Sequence, residues 1–440
     1  MNILVLGNGF DLAHGLPTKY TDFLDFLKVI KQVINIKDPH DVKIHWEGID
    51  VRIKEKINHD MRNLSSFEKK WKELVDNNVW IDYFLQCDMH GNENWIDFES
   101  EISKVIKILD KDIDQYRGKD NLYSVVEKIS HPFFATYFLD DIDNRTQERD
   151  IEGCKLCANM PVGGQSTFLE EFRKEHPVES LNGKITYKNL ITKLEQDLNR
   201  LTYALEIYLT ENIEKVEVVK KFGEIGNLDI DHVLSFNYTN TYEKVYGGIK
   251  KFNYDYIHGK ADIRNSIELN NMVLGIDEYL QDDRKDIDTD FIVFKKYYQR
   301  IYKQTGCKYR KWVDGIKMDY LHFLKTHERA ERIENKYTNS ELKAGLNRQA
   351  SFAIRNEKCK IHNLYIFGHS LDATDKDILR DLILNDNVHT TIFYHSKEEL
   401  GRKIANLVKV IGQDELIRRT GGSTRTIKFE LQQDMVPIKE

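Results

Sequence analysis

Met1-Asn2-Ile3-Leu4-Val5-Leu6-Gly7-Asn8-Gly9-Phe10-Asp11-Leu12-Ala13-His14-Gly15-Leu16-Pro17-Thr18 opens the chain. Its first six residues are a short apolar run with a branched core, bounded by Gly7-Asn8-Gly9, and read as a buried strand ending in a tight turn. Tyr20, Phe23, Leu24, Phe26, Leu27 and Ile30 then recur at helical spacing, which predicts a helix from near Thr18 or Thr21. A strand, a glycine turn and a nearby helix can gather backbone N–H groups around a phosphate. The usual dinucleotide fingerprint asks for a third glycine where this chain has Leu12. Asp11 repels phosphate and is better suited to a ribose hydroxyl or a backbone N–H. A plain tight turn under a sheet edge accounts for the same glycines.

The pattern returns in the second half of the chain. The runs 231–236, 254–257, 272–274, 364–367 and 389–394 read as short strands. They end at Asn237-Tyr238-Thr239, His258-Gly259, Gly275-Ile276-Asp277, Gly368-His369-Ser370-Leu371-Asp372 and His395-Ser396. Helical segments about 239–247, 374–385 and 397–411 follow most of them. Short apolar strands alternating with helices predict an α/β fold, a Rossmann-like doubly wound parallel sheet. In such a sheet the crevice beyond the strand ends holds the ligand.

The rest of the 440 residues reads as large helical insertions. The expected organisation is a core of residues 1–50 and 223–440, with a helical insertion about 288–352, and a mostly helical insertion over 51–222. Ile191, Leu194, Leu198, Leu201, Leu205 and Tyr208 step by three and four along one long helix. Intrachain core packing is the favoured reading of that stripe, and a dimer contact is the other. Ile102, Val105, Ile106 and Leu109 share one face of a second helix, which Asp97 can cap. The stretch Lys295-Lys296-Tyr297-Tyr298 to Trp312 interleaves basic and aromatic residues. That pattern suits nucleic-acid binding, or else an ordinary amphipathic helix with its aromatics inward.

A net charge of −7 argues against a general nucleic-acid coat. No apolar run approaches a membrane span, and the opening run is too short, and lacks the basic flank, for a signal peptide. Five cysteines, odd in number, point to a reducing cytoplasm rather than a disulfide framework. Cys154 and Cys157 form one Cys-x-x-Cys without a second, so no metal is expected.

Four motifs together resemble the bacteriophage abortive-infection family AbiH. They are Gly7 to Thr18, Asn94-Trp95-Ile96-Asp97-Phe98-Glu99, Phe236-Asn237-Tyr238-Thr239 and Gly368-His369-Ser370-Leu371-Asp372. In the same order they resemble, more distantly, the sirtuin fold. Its Gly-Ala-Gly-x-Ser and Gly-Ile-Pro correspond to Gly7-Asn8-Gly9-Phe10-Asp11 and Gly15-Leu16-Pro17. Its Gln-Asn-x-Asp corresponds to Phe236-Asn237-Tyr238-Thr239. Its catalytic His-Gly corresponds to His258-Gly259, and its late Gly-x-Ser to Gly368-His369-Ser370. Three departures stand out. Asp11 replaces a serine, Thr239 replaces an aspartate, and the four zinc cysteines are missing.

The resemblance implies an anti-phage protein that cleaves the nicotinamide–ribose bond of NAD, with NAD as substrate or ligand. It implies Asn237 and His258 as catalytic residues. Gly7, Asn8, Gly9, Phe10, Asp11, His14, Gly368, Ser370 and Asp372 become the nucleotide-binding set. The bland readings stay beside these: Asn237 and Asp372 as helix caps, and His258, His14, His369 and His395 as structural histidines. Two other functions stay open: a sensor that binds NAD, ADP-ribose or a signal nucleotide without cleaving it, and a nucleic-acid effector. Expected partners are a nucleotide, a further copy of the chain, and a phage-derived trigger or neighbouring defence protein, with no membrane.

Overall fold

The computed structural model describes residues 1–35, 44–46, 48–61, 64–90, 97–114, 187–248, 251–336, 345, 348–349, 358–423 and 425–438. The Cys154–Cys157 pair and Asn94 to Ile96 lie outside them, as does the expected insertion between 115 and 186. The chain divides into two compact units. The first comprises Met1–Gly15, Glu217–His258 and Thr305–Glu440, and the second Leu16–Val216 and Gly259–Gln304.

The first unit is built on strands β1 (Asn2–Leu6), β2 (Lys220–Phe222), β3 (His232–Ser235), β4 (Asn253–Tyr256), β5 (His362–Phe367), β6 (Val388–Tyr394), β7 (Ile427–Leu431) and β8 (Met435–Pro437). Six of them form one sheet in the order β4-β3-β1-β5-β6-β7, every neighbouring pair parallel. Counting only these six, the order is 3-2-1-4-5-6, that of a Rossmann-like doubly wound sheet. β2 and β8 pair antiparallel as a separate ribbon.

Alternation along the strands explains why the sheet is covered on both faces. Ile3, Val5, Leu234, Leu364, Ile366 and Ile392 enter one core, shared with Ile378 and Leu379 of the helix Lys376–Ile383 and Leu407 of the helix Lys397–Ile411. Leu4, Leu6, Val233, Phe367 and Phe393 enter the opposite core with Phe10, Phe222 and Tyr242. A strand buried on both faces reads as an unbroken apolar run, which is how β1 reads. Each fully buried Leu or Ile contributes about 1.5–3 kcal/mol relative to exposure.

Three expectations change. The chain does not loop from Gly7 to Thr18: a six-residue helix, Asn8–Ala13, starts directly after β1 with Gly7 as its extended N-cap. Met272-Val273-Leu274 is buried but lies outside every strand. In its neighbourhood only Ile276 pairs, through a single bridge to Lys295. The sixth strand, β7, was not foreseen.

The second unit is mostly helical. The helix Tyr20–Ile34 belongs here rather than with the sheet, because its apolar face carries Phe23 and Phe26 against Phe98, Trp71 and Tyr208. The leucine stripe of the helix Tyr187–Ile207 is core: Leu194, Leu198, Leu201 and Leu205 are all buried. Ile102, Val105, Ile106 and Leu109 are buried as expected, and Asp97 accepts from the Glu99 N–H at 3.1 Å. Buried Glu206 accepts from the Asp262 N–H at 2.9 Å and from the Asn265 and Asn270 amides at 2.7 Å each, tying that helix to the segment after Gly259. The helix Tyr309–Lys336 belongs to the first unit, where Tyr309, Trp312, Val313 and Ile316 enter the sheet core. No helix among the described residues is long and apolar enough to cross a membrane.

Candidate functional site

The order of the sheet reverses between β1 and β5, so the loops following these two strands flank the switch point where such folds bind ligands. The loops touch through backbone. The Gly7 N–H donates to the Phe367 carbonyl at 3.2 Å and the Gly9 N–H to the Gly368 carbonyl at 2.8 Å. Gly368 has φ +66°, and a Cβ there would lie 2.1 Å from the Phe10 nitrogen. Only glycine meets both demands. The Phe10 N–H is also committed, to the Gly7 carbonyl at 2.8 Å. The glycines of both motifs are therefore explained by the packing of one loop on the other, and the N–H groups of Gly7 and Gly9 are spent inside the chain rather than turned towards a phosphate.

Asn237 stands just beyond β3. Its side-chain amide donates to the Gly7 carbonyl at 3.1 Å, and its own N–H donates to the Ser235 hydroxyl at 3.1 Å. It does not cap a helix: the next one, Thr241–Tyr246, begins after Asn240. Asp11 projects from the first helix and is 1% exposed. The Thr239 hydroxyl donates to its Oδ2 at 2.5 Å, and the Thr241 hydroxyl lies 3.1 Å from that of Thr239. The two departures from the sirtuin pattern, Asp11 and Thr239, thus form one hydrogen-bonded pair. Burial pushes the Asp11 carboxyl up to about 6, against the pull of its hydrogen bonds, Thr239 foremost. Asp11 Oδ1 and Asn237 Oδ1 are buried without a hydrogen-bond partner. Both residues line a cavity of about 10 Å³, with Ser235, Thr239 and Tyr256, which has room for about one water.

His258 follows β4 and is buried. Its Nε2 lies 3.8 Å from Asp375 Oδ1, and His369 Nε2 lies 3.4 Å from Asp375 Oδ2. The Phe236 ring sits against both imidazoles, 5.6 Å from His258 and 4.3 Å from His369 between centroids. His369 is not merely a turn residue, since it shares a carboxylate with His258. Asp375 escaped the sequence reading, which singled out Asp372 three residues earlier. The signal available was a second aspartate three residues on, just before the helix Lys376–Ile383.

The remaining expected residues separate. Asn8 and Ser370 are exposed beside the switch point. Asp372 is a cap: its Oδ1 accepts from the Thr374 N–H at 3.0 Å. Phe10 is a core ring, 5.8 Å from Phe367. His14 is held at both nitrogens, with Nδ1 2.7 Å from the Phe10 carbonyl and Nε2 3.0 Å from the Tyr246 hydroxyl. A carbonyl only accepts, so Nδ1 carries the proton and the tyrosine donates to Nε2. Burial pulls this imidazole below its ordinary range, so His14 is a neutral structural histidine. His395 pairs with Glu399 at 2.6 Å.

The basic stretch in the second unit is not a phosphate-binding surface at its first two lysines. Lys295 and Lys296 are buried and paired with Glu278 at 2.9 Å and Glu99 at 2.6 Å. Their charges are consumed by carboxylates that make their burial tolerable. Among the described residues no group of three or more His, Cys, Asp and Glu is arranged to hold a metal ion.

A family model described as "Bacteriophage abortive infection AbiH" matches residues 3–395. Neither the curated proteins nor the solved structures contain a match.

Proposed function

The chain belongs to the bacteriophage abortive-infection family AbiH, and from that premise we propose that it is a sirtuin-like, NAD-cleaving effector of anti-phage defence. One observation carries the reading. Asn237 and His258 stand at the C-terminal ends of adjacent strands, beside the switch point of a sheet with strand order 3-2-1-4-5-6.

Cleavage adds water oxygen to the anomeric carbon of the ribose while the carbon–nitrogen bond breaks and its electron pair leaves with nicotinamide. His258 takes the proton of that water, as an imidazole can near neutral pH. The orphaned Oδ1 of Asn237 and Oδ1 of Asp11 are acceptors suited to a water molecule, the size that their cavity admits. The pyrophosphate cannot rely on the N–H groups of Gly7 and Gly9, which are committed. Asn8 and Ser370, both exposed, are the residues of the two loops assigned to it. The test is incubation of the purified chain with NAD and separation of products. Nicotinamide and ADP-ribose in equal amounts, lost in His258→Ala, support the reading; NAD left intact by the purified chain, both alone and with a lysate of phage-infected cells, would sink it.

A second reading rests on the Asp11–Thr239 pair. A carboxylate with one oxygen already held by a neighbouring hydroxyl, in place of an enzyme's serine and aspartate, suits a sensor that binds NAD, ADP-ribose or a related nucleotide and does not turn it over. It predicts saturable binding with no product.

A further inference from the structure

Asp375 is the N-terminal flanking residue of the helix Lys376–Ile383, yet its carboxylate makes no capping bond there. Capping at this corner is done by Asp372 on the preceding turn. The Asp375 carboxylate instead faces two imidazoles that come from different strand ends, His258 after β4 and His369 after β5. Its side chain is 12% exposed and those of His258 and His369 are 9% and 3% exposed, so all three are shielded from water.

The tautomer of His369 follows from its surroundings. The Leu371 N–H lies 2.9 Å from His369 Nδ1, so Nδ1 must accept and Nε2 must carry the proton. That nitrogen lies 3.4 Å from Asp375 Oδ2, on one side of the carboxylate. We infer that Asp375 is the positioning residue of the site: anchored by His369, it draws the Nε2–H of His258 towards Oδ1 and so makes Nδ1 the nitrogen that accepts a proton. The distances of 3.4 and 3.8 Å are ion-pair contacts rather than formed hydrogen bonds. Such contacts commonly tighten when substrate binds. Among the described residues, Asp375 is a titratable group facing His258, with His369 on the other oxygen of that carboxylate and Tyr238 flanking the ring at 6.4 Å.

The inference gives His258 the role of proton acceptor and thus rests on the NAD-cleaving reading, but its test does not. Long-range nitrogen–proton NMR of the full chain, labelled at histidine, reads the tautomer and titration of each ring without any turnover. In the native chain His258 should be the Nε2–H tautomer. In Asp375→Asn, which keeps the shape but loses the charge, its titration midpoint should fall by about one pH unit. His369 should keep Nε2–H in that variant, because Leu371 still donates to Nδ1. In His369→Gln the preference of His258 should weaken, since the carboxylate loses its anchor. With NAD as substrate, Asp375→Asn should lower kcat at least about 10-fold with KM little changed, and Asp375→Glu should recover part of it. A His258 tautomer and titration identical in native chain and Asp375→Asn would overturn the inference. Absence of NAD cleavage by the native chain would overturn the enzyme reading alone and leave the NMR result to decide this one.

Discussion

The two halves of the strand-end site are built to different tolerances. On the side of β1, Asp11 and Thr239 are locked at 2.5 Å, and the glycine loops around them are in backbone contact. On the side of β4 and β5, His258, Asp375 and His369 stand at 3.4 to 3.8 Å, near enough to interact but not closed. The first half is held by hydrogen bonds already formed in the resting fold. The second retains room to contract. On the proposed reading, a fixed platform stands beside an adjustable acid–base group, as catalysis by positioning asks.

The contrast can be broken most forcefully at Gly368. In Gly368→Ala a new Cβ would meet the backbone of Phe10 at a φ of +66°, and neither can yield cheaply. The expected loss is about 4 kcal/mol or more, read as a collapse of the denaturation midpoint or of soluble yield. His258→Ala should act oppositely, with NAD cleavage down about 100-fold or more and the same midpoint within about 1 kcal/mol. A large destabilisation by His258→Ala would show that the histidine cluster is as structural as the glycine corner.

Asp11 sharpens the comparison through pH. Its carboxyl sits at about 6 in the fold against 3.8 for an ordinary aspartate. Between those values the folded chain holds a proton that the unfolded chain has released. The contribution of Asp11 to stability is therefore full below pH 4 and is lost as pH rises through 6, amounting to about 3 kcal/mol. The difference in stability between the native chain and Asp11→Asn, measured from pH 4 to 7, should change in that window and level off above it. Thr239→Val removes the hydroxyl that supports the ionised carboxylate, and should cost about 1–3 kcal/mol at pH 7 and less at pH 5. The smallest effect is expected at Asp372→Ala, about 1 kcal/mol for one exposed cap, with NAD cleavage unchanged.

Much of the sheet was legible because its strands are apolar on both faces. β1 and the apolar stretches within β3, β5 and β6 gave the signal, whereas β4, Asn253-Tyr254-Asp255-Tyr256, is a polar, partly exposed edge strand marked by the turn at His258-Gly259 that follows it. β7 was not, since Ile427-Lys428-Phe429-Glu430-Leu431 is an edge strand whose charges read as surface. Met272-Val273-Leu274 misled for the converse reason, being fully buried without a ladder. The helix Asn8–Ala13 hid behind Gly7 and Gly9, whose purpose is contact with Gly368, a loop far along the chain. Asn237 and His258 could be singled out from their places at strand ends. Asp375 was harder to single out, because one of its two partners, His258, follows a different strand, and its local sign, a second aspartate three residues after Asp372, also fits a helix cap. The same holds for Asp11 and Thr239, which looked like two separate departures and are one pair.

On the proposed reading, this site destroys NAD during infection. The most direct measurement is cellular NAD after phage addition in cells carrying the native chain, His258→Ala or Asn237→Ala, with phage yield scored in the same cultures. The account predicts a fall in NAD with the native chain, none with either variant, and loss of protection in step with it. Protection by the native chain while NAD stays level would contradict it.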